Sequence, residues 1–290
     1  MRRGHATSEA GFTLVELTIV VVISTMALIA IYQTLITQER TYRYQSAAID
    51  TQGATRVGLQ VLGAELREMS ASAGSSGTKG GSDLLAATRD SVRFRAFRKV
   101  GITCSVNAVL GTIDVWVPGA PFEVGDTLLL FQEGNITSDE DDTWAAGRRL
   151  RGVGTATNAA ACADEWGSYT LQALQGMDPV DLLTLRRGAL IRSYNTLTYG
   201  AARWEDEWVL ARWGGDGSVV PLVGPLLSPD SGGIAFRYFD QAGTELTPSS
   251  NAVRARVARI EITVRALSRG GIDHQNHVDS LSTNIYLRGN

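Results

Sequence analysis

A chain of 290 residues with 44% hydrophobic side chains and a formal charge of −3 is long enough for a membrane segment plus a sizeable folded core. That composition excludes a disordered chain, and its near-neutral balance gives no reason to expect nucleic acid as a partner.

The chain opens on a short basic stretch with Arg2 and Arg3, followed by Gly11-Phe12-Thr13-Leu14-Val15-Glu16. From Phe12 to Gln38 the only charge is Glu16, and Leu17 to Gln38 has none. At 1.5 Å rise per residue those 22 residues extend roughly 33 Å as a helix, enough to cross a hydrocarbon core. After the apolar run, Tyr32-Gln33-Thr34-Leu35-Ile36-Thr37-Gln38 offers no small-residue cleavage site, so a secretory signal peptide is disfavoured and the apolar core is expected to stay. A carboxylate at the start of a spanning helix costs a few kcal/mol even on lenient insertion scales, so Glu16 is expected to have a partner.

The helical pattern continues through residues 39–69. Leu59, Leu62, Leu66 and Met69, with Val57 and Val61 alongside, predict one apolar face of an amphipathic helix. A single helix from Phe12 to Met69 would be about 87 Å long. Gly53, Gly58 and Gly63 interrupt its second half and are expected to let it lie close to a sheet. Residues 70–82 are small and polar and read as a flexible linker.

From residue 83 to the terminus the period becomes two, as in an antiparallel sheet protein. Predicted strands run through Val92-Phe94-Ala96, Ile113-Val115-Val117, Thr127–Phe131, Leu182–Leu185, Ala189–Tyr194, Trp208–Trp213, Ile234–Phe239 and Leu281–Leu287. Another is predicted from Val253 to Val264, with a bulge or break where the alternation changes phase at Val257-Ala258. The expected class is therefore α+β: a long amino-terminal helix, transmembrane then amphipathic, packed on a mainly antiparallel sheet.

Catalytic signatures are missing. The sequence contains no Gly-x-Ser-x-Gly, no His-Glu-x-x-His and no phosphate-binding GxxxxGK[ST] loop, so no enzyme is expected. His274 and His277 with Asp273 or Asp279 have metal-ligand chemistry, but a solvated loop is the expectation. Trp204, Trp208, Trp213, Tyr194 and Tyr199 form an aromatic region that is read as packing. The only cysteines, Cys104 and Cys162, lie beyond the apolar segment. Export would permit their pairing as a disulfide, though two unpaired thiols fit the sequence as well.

The amino-terminal order of basic leader, glycine, phenylalanine, Thr-Leu-Val-Glu and long apolar helix resembles the class III signal of type IV prepilins and type II secretion pseudopilins. The resemblance implies cleavage by a membrane prepilin peptidase between Gly11 and Phe12, methylation of the new Phe12 amine, and pairing of Glu16 with the ammonium of a neighbouring subunit. Independently, the four-residue spacing of Phe12 and Glu16 puts amine and carboxylate near one side of a helix. Towards the other end, Gly233 to Asp240, the Arg-rich strand through Ile260-Glu261-Ile262 and the closing Tyr286-Leu287-Arg288 resemble PilW-like minor pilins and J-type minor pseudopilins.

That likeness implies a pilin-like fold with boundaries at 1–11, 12–38, 39–69, 70–82 and 83–290. It also implies an inner-membrane protein with a periplasmic domain that later enters a pilus or pseudopilus. Its implied partners are the peptidase, other minor subunits, the major subunit, the inner-membrane assembly platform and lipid. Gln33 stands where many major pilins carry proline, which points away from a bulk subunit. No cofactor is expected; calcium at Asp139-Glu140-Asp141-Asp142, by likeness to acidic loops of some pseudopilins, is the one candidate. Three readings stay open at this point: a minor pilin, a minor pseudopilin, and an uncleaved membrane-anchored periplasmic binding protein or enzyme.

Overall fold

The computed structural model describes residues 12–69, 82–134, 137, 142–156, 170–214, 217–268 and 277–287. One long apolar helix at the amino terminus and a large antiparallel sheet domain make an α+β protein. Helix α1 spans Leu14–Arg67, and the chain divides into two compact units, Met1–Asp50 with Ser268–His277, and Thr51–Leu267 with Val278–Asn290.

In the first unit, no described helix residue is buried, although Leu14 to Ile31 is predominantly apolar. The window that is long and apolar enough to cross a membrane has none of its residues buried, unlike the core helix of a globular protein. Its hydroxyls are turned back on the helix. Thr18 donates to the Val15 carbonyl at 2.8 Å, Thr25 to Val22 at 2.8 Å, Thr34 to Ala30 at 2.9 Å and Thr37 to Gln33 at 2.9 Å. In hydrocarbon such internal bonds remove the cost of an unsatisfied hydroxyl.

Within the second unit, the last turns of α1 bury Thr55, Gly58, Leu59, Leu62, Gly63 and Leu66. The leucines and Met69 join Phe94, Tyr199, Leu210, Val223, Ile260, Ile262 and Ile285 in the larger of the two apolar cores among the described residues. Val57 and Val61, expected on this face, are not on it: Val57 is 59% exposed and Val61 39%. At 100° per residue they stand about 140° and 100° round the helix from Leu62, outside the apolar arc.

The three helix glycines differ. A Cβ on Gly58 would lie 2.0 Å from Val223 Cγ2, so here the helix backbone approaches the sheet directly, whereas a Cβ on Gly53 meets nothing within 4 Å. Gly58→Ala should therefore destabilise by about 1–2 kcal/mol, overpacking outweighing the gain in helix propensity. Gly53→Ala should stabilise by about 0.5–1 kcal/mol. Urea midpoints of the two variants, followed by tryptophan emission, check the opposite signs.

Among the described residues, fourteen strands form the connected sheet. In chain order they are β1 (Leu84–Ala87), β2 (Ser91–Asn107), β3 (Thr112–Val117), β4 (Thr127–Gln132), β5 (Thr143–Arg149), β6 (Gly152–Thr155), β7 (Thr170–Gln175), β8 (Leu190–Trp204), β9 (Glu207–Trp213), β10 (Val219–Leu226), β11 (Ile234–Phe239), β12 (Glu245–Leu246), β13 (Arg259–Ser268) and β14 (His277–Tyr286). Its main path runs β12-β11-β13-β10-β9-β8-β2-β3-β7-β6, with β1 on β2, β14 on β13, and β4 joining β5 and β8.

The long strands β2 and β8 pair antiparallel from Ser91↔Gly200 to Ile102↔Leu190, and their register shifts between Phe97 and Lys99. On one side of that shift Val92, Phe94, Ala96, Leu197 and Tyr199 enter the core beneath α1. On the other, Ile191 joins Ile113, Val115, Leu128, Leu130, Leu150 and Leu174 in a second core. Two strands thus serve both cores. Tyr238 ties β11 to the β1–β2 turn by donating to the carbonyls of Thr88 at 2.9 Å and Ser91 at 3.3 Å, and burial holds its phenol above the ordinary range.

One predicted strand is replaced by a helix end and turn, and another begins in a helix. Leu182–Leu185 falls at the end of helix α2 (Pro179–Leu182) and the turn after it. Asp178 caps this helix by accepting from Val180 N at 3.0 Å, and Pro179 occupies its first position. Val253 and Ala255 belong to helix α3 (Asn251–Arg254) and its C-cap; the Ser250 hydroxyl caps it by accepting from Val253 N at 3.3 Å. The phase change at Val257-Ala258 therefore marks the passage from helix to strand, with β13 beginning at Arg259.

Candidate functional site

The start of α1 is the place where sequence and geometry place charge in an apolar segment. Thr13 precedes the helix and its carbonyl accepts from Leu17 N at 3.2 Å, which makes Thr13 the N-cap. The Thr13 hydroxyl accepts from Glu16 N at 3.2 Å. In return, Glu16 Oε2 accepts from Thr13 N at 3.0 Å and from Thr13 Oγ1 at 2.9 Å. This is a capping box, in which a Thr and a Glu three residues on satisfy each other's backbone donors.

Several consequences follow from this geometry. The Glu16 carboxylate sits at the positive end of the helix dipole, where a negative charge is stabilised. Its two oxygens are not equivalent, because all these bonds fall on Oε2; Oε1 accepts no hydrogen bond among the described residues. Phe12 lies outside the helix, 84% exposed, so the simple four-residue helical relation to Glu16 does not describe it. Thr13 is the residue that carboxylate actually meets. The Thr-x-x-Glu spacing in the sequence was sufficient to find it.

Gly11, the other half of the expected cleavage site, lies outside the described residues. Beyond the apolar run, Arg43 pairs with Glu39 one turn earlier at 2.5 Å on one helix face, with Arg40 between them in the sequence.

The remaining candidates separate. Cys104 is buried in β2 and disulfide-bonded, while Cys162 lies outside the described residues. Asp139, Glu140 and Asp141 also lie outside them, and Asp142 Oδ1 accepts from Gly134 N at 3.1 Å. His274 and Asp273 are not described; His277 and Asp279 fall in β14.

The aromatic region is divided as well. Tyr199 stacks on Phe94 at 5.9 Å, and the Arg95 guanidinium lies 5.5 Å from the centre of the Tyr194 ring. Trp208 packs against the larger core, and Trp204 is half-exposed. Sequence reasoning passed over Trp144, which meets Phe131 edge-on at 5.1 Å and carries the Arg192 guanidinium 5.3 Å from its ring centre. No protein-family model, curated protein or solved structure matches the chain.

Proposed function

We propose that this chain is a minor pilin, a structural subunit that helps to initiate or cap a type IV pilus after prepilin peptidase removes residues 1–11. The observation that carries the reading is the Gly11-Phe12-Thr13-Leu14-Val15-Glu16 sequence placed directly at the start of an unburied apolar helix. The same helix continues into the core of a β-rich domain, as a subunit stored in a membrane and assembled through its helix requires.

Cleavage would place a free ammonium on Phe12, beside the N-cap. The capping box holds Glu16 Oε2 within its own chain and leaves Oε1 for the ammonium of an incoming subunit. An isolated carboxylate in lipid is destabilising. Internal capping lowers that cost during membrane storage, and pairing with a charge at the same depth removes it on assembly. The reading assigns the protein no catalytic role, and it assigns Phe12 as the site of N-methylation. Coexpression with a prepilin peptidase tests it: the chain should shorten by the eleven leader residues, whereas an unprocessed chain would support an anchored periplasmic protein.

A further inference from the structure

A cavity of about 780 Å³ opens within the sheet-domain unit where the end of α1 meets β2, β4, β8 and β9. Its lining includes Glu65, Arg98, Thr127, Asn195, Thr196 and Arg212, and among the described residues Leu197 is its only aliphatic side chain. An apolar ligand would find little to bury against there. The volume is that of a small-molecule site.

The charges of the cavity do not balance. Glu65 accepts from both terminal nitrogens of Arg98 at 3.0 Å, so one carboxylate and one guanidinium are locked together. Arg212, partly buried on β9, has no carboxylate partner among the described residues. Beside it on β8, the Tyr199 oxygen is sealed from solvent without a well-aligned hydrogen bond. Burial and then the Glu65 carboxylate hold that phenol above its ordinary range, and Arg212 and Arg98 act against them. The wall therefore presents an unneutralised planar cation, whose two-pronged donor geometry suits a carboxylate or phosphate. Around it, Thr127, Asn195 and Thr196 provide hydroxyl and amide groups that pair with a polyhydroxylated body.

We propose that this cavity binds an acidic sugar, its carboxylate or phosphate held by Arg212 and its hydroxyls by Thr127, Asn195 and Thr196. The site stands apart from the amino-terminal chemistry, so its failure would leave the assembly reading intact. Titration calorimetry of the full chain in neutral detergent, with glucuronate, glucose 6-phosphate and glucose as probes, tests it.

Binding of either acid with glucose at least tenfold weaker supports the proposal, and which acid binds identifies the oxyanion. Arg212→Ala should lower affinity at least tenfold and Arg212→Lys by less. Glu65→Gln, which frees Arg98, should raise it several-fold. Equal binding of glucose, no binding of either acid, or unchanged affinity in Arg212→Ala with retained tryptophan emission would overturn the proposal.

Discussion

Glu16→Gln is expected to leave membrane insertion and leader cleavage unchanged while reducing copurification with partner subunits at least tenfold. The amide keeps an oxygen that can accept from Thr13, so the N-cap is largely preserved and the apolar span is untouched. Only the negative charge goes, and with it the attraction for an ammonium at the same membrane depth. Glu16→Ala removes charge and cap together and should lose assembly to the same extent. Thr13→Ala removes the hydroxyl but keeps the charge. It should weaken the helix start by about 1 kcal/mol and still assemble. Immunoblots of detergent-extracted complexes read all three; normal assembly in Glu16→Gln would show that the charge has no role.

The second large effect is on stability. Leu62→Ala should destabilise the sheet-domain unit by about 2–5 kcal/mol, because Leu62 is fully buried among β-strand side chains and its removal opens a cavity. Val57→Ala, one and a half turns away on the exposed side, should change stability by no more than about 0.5 kcal/mol. All six tryptophans lie between residues 116 and 213, so urea unfolding followed by their emission reports on this unit. Equal losses in the two variants would mean that α1 does not present its Leu62 face to the core.

These contrasts show where the sequence was legible. The long helix, its apolar first half and its leucine face followed from spacing alone, since 3.6-residue periodicity survives over many turns. Val57 and Val61 were misassigned because hydrophobicity was read without its angle. Among the strands, Ile260, Ile262 and Val264 alternate cleanly and are buried as expected.

Strand β10 escaped notice because Pro221 and Pro225 argue against a strand, yet its register shifts between Pro221 and Val223 and again before Leu226. Strand β5 was hidden in the same way by Gly147, which has φ +82° and stands between Ala146, paired with Leu129, and Arg148, paired with Leu128. Leu182–Leu185 looked like a strand because three leucines outweighed the Asp178-Pro179 cap that begins a helix. At the site, the four-residue spacing of Phe12 and Glu16 suggested a helical relation that does not hold, because the helix begins at Leu14, whereas the Thr-x-x-Glu spacing of the Thr13 cap was legible but unread. The cavity around Arg212 draws on residues from Glu65 to Ser218 in five elements, and no local pattern could have revealed it.

The most direct measurement is tandem mass spectrometry of the amino-terminal peptide from protein produced with and without a prepilin peptidase. N-methylated Phe12 is expected as the first residue with the peptidase, and an intact leader without it. An intact leader in both preparations would contradict the minor-pilin reading.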